Sequence, residues 1–305
     1  MPRRSYFFLI AMSALMALGF TSARANRHHH SVNISDGHRH PAIDCSDLRI
    51  RFDDRDAVVR SEQRTLTKAQ AAVLQVRPHT NGGVQVEGWD NETYSVTACK
   101  AAAASSDAER ILSQITMSIE GGRVSTNGPG DDDDWTVYLL VRTPKSATID
   151  METMNGPLSF YDVDGKLTAR AHNGPIGLRN FSGDADITAV NGPISLDGSK
   201  GSVRIHTENG PITVELAGST WSGAGLTADA KNGPMTLMVP SGYQSGFVVE
   251  ATNNGPVSCR ASVCDHARKT WDDEHRRIEY GSSPAMIHLS TVNGPVSVVE
   301  SRGSL

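Results

Sequence analysis

Cys259 and Cys264, with four residues between them and Asp265 and His266 directly behind, are the first place in this sequence to look for chemistry. Thiolate and imidazole ligands suit zinc, but a structural site needs a second pair at comparable spacing, and none follows. The histidines at His28, His29, His30, His38 and His40 could offer imidazoles to a transition metal, although a polar tract without an apolar pattern reads first as a solvated tail. The four consecutive aspartates ending at Asp134 fail as a calcium site, because neighbouring side chains on extended backbone diverge instead of converging on one ion. They read as a solvated loop. No Gly-x-Ser-x-Gly elbow, P-loop or Gly-x-Gly-x-x-Gly turn is present. A polysaccharide-cleaving groove would need clustered carboxylates, whereas outward positions such as His172, Glu208 and Lys231 differ from one repeat to the next. The expectation is a non-enzyme with no catalytic residue, metal or cofactor. Trp271, set in a charged stretch from Asp265 to Glu279, is the candidate contact residue.

The compartment follows from the first residues and from the cysteines. Arg3 and Arg4 precede an apolar run from Tyr6 to Phe20, and Ala23-Arg24-Ala25 closes it, the order of a secretory signal cleaved after Ala25. The run is shorter than the ~20 residues of a spanning helix, and no later run could cross a bilayer. Loss of Arg3, Arg4 and Arg24 takes the formal charge from −5 to −8, and no basic stripe remains for nucleic acid. Export to the periplasm, cell envelope or extracellular space makes disulfides the reading of an even cysteine count. Of three possible connectivities we expect Cys45–Cys99 and Cys259–Cys264.

These groups must be positioned by a repeat. The tripeptide Asn-Gly-Pro occurs eight times, its asparagines at 127, 155, 173, 191, 209, 232, 254 and 293, and three consecutive gaps are 18 residues. The corners Asn155-Gly156-Pro157, Asn173-Gly174-Pro175, Asn191-Gly192-Pro193, Asn209-Gly210-Pro211 and Asn232-Gly233-Pro234 each separate two short alternating runs. Alternation at period two signals strand. Leu158 and Phe160, Ile176 and Leu178, Ile194 and Leu196, and Ile212 and Val214 face one way, with a small polar residue between them. Asn and Gly tolerate unusual backbone, and Pro, which lacks an N–H, suits the first residue of a strand. A fixed short period means stacked coils, with side-chain amides free to bond from coil to coil. The fold expected is all-β: a single-stranded β-solenoid of 18–23-residue rungs, with one short helix from about Ser106 to Gln114, where Ser106 and Glu109 have capping-box spacing.

The organisation expected is a signal at 1–25, a structureless His-rich tail at 26–44, N-terminal strands and a capping helix at 45–122, and repeats at 123–305 with a charged insertion at 259–283. Thr80-Asn81-Gly82-Gly83 is a relative of the corner without its proline. Rungs of the type Ile-x-Ala-x-Asn-Gly-Pro-Ile-x-Leu, together with Gly83-Val-Gln-Val-Glu-Gly-Trp-Asp90 and the Ala-rich segment after it, resemble the bacterial putative-adhesin β-solenoid family over roughly 73 to 299. The resemblance implies an exported domain and brings no catalytic residues. The function expected is a structural or adhesive envelope module whose partner is an envelope or surface component. Two alternatives are a carbohydrate-active β-helix enzyme and a scaffold that self-associates through an open last rung.

Overall fold

The structure, a computed structural model, describes residues 32–35, 40–130, 133–253, 255–272, 275–281 and 286–301. The signal at 1–25 and four of the five tail histidines lie outside them. Within them the chain is mostly β, with 24 strands linked by pairing, one α-helix at Ala108–Gln114 and two short 3-10 turns. The sheet does not close on itself, since Arg268–Trp271 and Thr116–Glu120 each pair on one side only.

Most strands fall into two parallel rows, one on each side of the corner. The first contains Leu74–Arg77, Thr148–Asn155, Lys166–Asn173, Asp184–Asn191, the end of the long strand Ile194–Asn209, then Ser222–Asn232 and Ile287–Asn293. The second contains Val84–Trp89, Leu158–Tyr161, Ile176–Ser182, the start of Ile194–Asn209, Ile212–Leu216, Met235–Val239 and Val296–Glu300. Alternation does the sorting. Ile176, Leu178, Ile194, Leu196, Ile212 and Val214 turn inward and are 0–2% exposed, against a first row that supplies smaller Ala169, Ala171 and Ala189. Large residues opposite small ones let the two rows interdigitate.

The corners form a column. Asn155 pairs in register with Asn173, then Asn191, Asn209, Asn232 and Asn293. Each side-chain amide donates to the carbonyl oxygen of its neighbour at 2.9–3.1 Å, from Asn81 at one end to Asn253 at the other. The proline loses no ladder bond it could have made: its carbonyl accepts from the residue after the neighbouring proline, as Pro175 does from Leu158 at 2.9 Å. Glycine is demanded by close approach. A Cβ on Gly192 would lie 2.2 Å from the carbonyl oxygen of Gly174, and on Gly233 2.1 Å from that of Gly210. No side chain fits there.

Several expectations need correction. Asn127 is outside the column; it pairs with Thr116 in an antiparallel hairpin, and its place in the ladder is taken by Asn81. Parallel pairing therefore begins at Leu74, well before residue 123. The final repeat is not outermost. Ile287–Asn293 lies between Ser222–Asn232 and Phe247–Ala251, and Val296–Glu300 lies between Met235–Val239 and Val257–Cys259. The supposed open last rung is therefore an interior strand in both rows. The tail is not structureless throughout, because Val32–Ser35 pairs with Arg49–Phe52 and Ala42 is buried. The helix starts at Ala108 with Asp107 as its N-cap and no side-chain cap bond, so Ser106 and Glu109 fall outside the N-cap and N3 positions, and Glu109 pairs with Arg60. Asp133 and Asp134 are likewise committed, to Arg110 and Arg55.

Each end of the core is plugged. At one end Ala108, Ile111, Leu112 and Ile115 are buried; at the other Ala261, Val263 and Cys264 are.

Candidate functional site

Trp271 sits at the end of Arg268–Trp271, an edge strand that pairs antiparallel with Arg276–Tyr280, itself paired with Phe247–Ala251. All four residues of that strand are exposed, and Trp271 is 51% exposed. The strand is short and carries Arg268 and Lys269, features that discourage another chain from pairing with its free edge. Behind it, Glu250 accepts from the Arg277 guanidinium at 3.0 Å and meets the His288 imidazole at 2.9 Å. The His288 contact, reinforced by Arg277, holds the Glu250 carboxyl below its usual range, and Glu250 in turn raises His288 against the effect of its burial. Arg268 similarly depresses Glu279. Glu250 and Glu279 are thus tied to cations. Cys259 is joined to Cys264 across the 3-10 turn Ser262–His266, with Cα atoms 5.6 Å apart. Both sulfurs are therefore committed to a crosslink, and Asp265 and His266 stand exposed beside it.

A second locus was not singled out from sequence. On the second row's N-terminal side, Trp135–Pro144 pairs with Val84–Trp89, Thr93–Ala103 pairs antiparallel with Trp135–Pro144, and Arg55–Thr67 pairs with Thr93–Ala103. Register places Gln63, Thr97, Leu140 and Gln85 in one cross-strand line, and Ser95, Arg142 and Glu87 in the next. Over this outward face runs the segment from Ala42 to Ser46. Gln85, 2% exposed, clamps it by accepting from the Ala42 N–H at 2.9 Å and donating to the Ala42 carbonyl at 2.8 Å. The Cys45–Cys99 disulfide fastens it a second time, Cα to Cα 5.4 Å. Asp44 caps the turn after it, accepting from the Ser46 N–H at 2.7 Å, and its carboxyl is held low by the Ser46 hydroxyl and N–H.

Beneath this strap is a cavity of about 400 Å³, within the size range of small-molecule sites. Ser61, Gln63, Ser95, Thr97, Glu87 and Arg142 line it. Gln63 Nε2 donates to Ser95 Oγ at 2.8 Å, and Arg142 Nε to Glu87 Oε2 at 3.1 Å. The Arg142 guanidinium also lies 5.9 Å from the centre of the Trp89 ring. Alternation in Gly83-Val-Gln-Val-Glu-Gly-Trp-Asp90 is the one local signal that places Gln85, Glu87 and Trp89 on one face. The partners from Ser61 to Arg142 are far away in sequence, and no local spacing joins them.

No protein-family model and no curated protein matches the chain. Among solved structures, similar ones include a "putative adhesin" of Bacteroides fragilis, 9% identical, covering 79% of this chain and 97% of that one at a TM-score of 0.44. Another, from Parabacteroides distasonis, is 10% identical with the same coverage of each chain and a TM-score of 0.41. A "putative cell adhesion protein" of Clostridium sporogenes is 11% identical over 80% of this chain and all of that one, at 0.32. Likeness at this level carries no argument about activity, which must come from this chain's own residues.

Among the described residues no three His, Cys, Asp or Glu side chains gather as a metal-binding group, and no helix is long and apolar enough to cross a membrane. The hairpin end offers an exposed indole on a rigid, charged edge, suited to surface contact. The strap end offers a partly open cavity with polar and apolar walls, of a size suited to a small ligand.

Proposed function

We propose that this chain is an exported, non-enzymatic binding module of the cell envelope or the space beyond it. Its two rows are read as successive coils of a β-solenoid, and the terminal hairpin with Trp271 is the surface that meets an envelope or surface partner. The observation that carries the reading is the unbroken Asn column, whose amides run in register from Asn81 to Asn253. A column of this kind makes a stiff scaffold. At about 4.8 Å per coil, the seven steps between the eight asparagines span about 34 Å. Loops and hairpins on such a scaffold are where binding concentrates, and an exposed tryptophan supplies large contact area at small entropy cost. Two disulfides fit an oxidising compartment.

The test is retention of the purified chain on envelope fractions. Trp271→Ala is expected to lower retention at least about tenfold, the size of a modest hot spot. Equal retention of both forms would remove the hairpin as the contact surface. N-terminal sequencing of the exported chain is expected to begin at Asn26; a chain that keeps residues 1–25 would overturn cleavage.

A further inference from the structure

We propose that the cavity beneath the Ala42–Ser46 strap binds a neutral saccharide unit. The charge of its lining selects the ligand class. Arg142 and Glu87 neutralise each other at 3.1 Å, so the cavity presents no surplus cation for a phosphate or carboxylate, and its one remaining carboxylate, Asp44, is too few for a metal. Asp44, the other acidic residue of the wall, is turned to its own capping bonds with Ser46. An acyl chain is disfavoured for the opposite reason. It would strip water from hydroxyls and amides without replacing their hydrogen bonds, at a few kcal/mol for each group.

What remains is a ligand rich in groups that both donate and accept. Ser95 accepts from Gln63, which leaves the Ser95 hydrogen and the Gln63 carbonyl for a ligand. Arg142 uses Nε on Glu87, which leaves the outer guanidinium nitrogens and the second Glu87 oxygen side by side. A guanidinium donor paired with a carboxylate acceptor matches two vicinal hydroxyls, one accepting from the guanidinium and one donating to the carboxylate. Ser61 and Thr97 add hydroxyls along the wall, and Leu140 with Ile43 on the strap gives an apolar surface for the C–H face of a sugar ring. Ile43 is 69% exposed, so its side chain is open to contact with a ligand.

The Trp271 hairpin lies at the other end of the rows and shares no residue with this cavity, so either reading can fail alone. The experiment is titration of the full chain with glucose, galactose, mannose, N-acetylglucosamine and their disaccharides to millimolar concentration, read by amide chemical shifts. At least one sugar is expected to give saturable shifts at Thr97, Leu140 and Ile43. Gln63→Ala is expected to weaken that sugar about tenfold, the worth of a lost hydrogen bond with its partner left unsatisfied. Ser61→Trp, a change at an exposed wall position that leaves the core alone, is expected to abolish it. The proposal is overturned by the absence of saturable shifts from every sugar. It is equally overturned by saturation with inorganic phosphate or dodecanoate where sugars fail, or by sugar binding that survives Ser61→Trp unchanged.

Discussion

The two ends of the rows solve the same problem differently. Parallel strands stacked side by side leave a core open at top and bottom, and each opening must be covered. At the N-terminal end the cover is extensive. The helix Ala108–Gln114 plugs the core, a sheet of antiparallel strands extends the second row, and a strap is drawn over that sheet by a disulfide joining residues 54 apart. At the C-terminal end the cover is compact, a five-residue 3-10 turn and a short hairpin, with a disulfide between residues only five apart. The larger cover leaves a partly open cavity beneath its strap; the smaller one presents an exposed edge and an indole. A cover that adds layers creates interior space, while one that merely closes the core adds only surface.

The contrast can be broken in descending order of effect. Replacing both Cys45 and Cys99 with serine is expected to cost about 4 kcal/mol in urea unfolding, and replacing both Cys259 and Cys264 about 2 kcal/mol, because loop-closure entropy grows with the length enclosed. Equal losses would mean that the strap is ordered before the disulfide forms. Leu112→Ala, which hollows the N-terminal plug, is expected to cost about 2–5 kcal/mol. Val263→Ala in the C-terminal plug is expected to cost about 2 kcal/mol, since it removes two methylene equivalents at about 0.8 kcal/mol each plus a small cavity. Hydrogen exchange would show whether each change loosens only its own end.

A smaller effect is expected from pH, and at the C-terminal end. His288 is raised by Glu250, so its contribution is complete below the ordinary imidazole value of 6.5 and fades as pH rises through the folded value. Glu250 is lowered by His288 and Arg277, so its contribution is complete above 4.5 and fades as pH falls through the folded value. The pair is therefore strongest between those two ordinary values. His288→Gln is expected to flatten the thermal-stability profile on the alkaline side of that window; an unchanged profile would dissolve the assignment. The smallest effect belongs to Trp271→Ala, expected to change stability by less than about 0.5 kcal/mol as an exposed position does. A larger loss would make the indole a part of the cap.

What the sequence disclosed came from repetition. Alternation around Asn173 or Asn191 is local, and the column makes the same local demand at every level, so strands, inward residues and corners could all be read. Asn127 misled because the same tripeptide also suits the end of a hairpin strand, and Asn81 qualifies without a proline. The order of the last repeats was hidden for a physical reason. Corners that are nearly alike accept one another in any sequence, so identity of motif cannot say which repeat lies next to which. The strap cavity was hidden because its walls come from residues as far apart as Ser61 and Arg142, brought together by antiparallel pairing that leaves no period. Ser106 and Glu109 had the spacing for a capping box, but the helix takes Asp107 as its N-cap, which puts Glu109 one position too early to close the box.

The intercalated final repeat has a consequence for how the molecule is built. Phe247–Ala251 and Ser222–Asn232 are made before the strand that separates them, and both offer it free edges. Until residues 287–300 arrive, the slot between them holds no strand, and only the connection around Tyr243 keeps the earlier pair apart. A form in which that pair docked directly would keep most native pairings while leaving residues 287–300 outside. Late arrival thus makes the C-terminal segment a keystone, and the connection that spans its gap, around the fully buried Tyr243, the brace that holds the arch open for it.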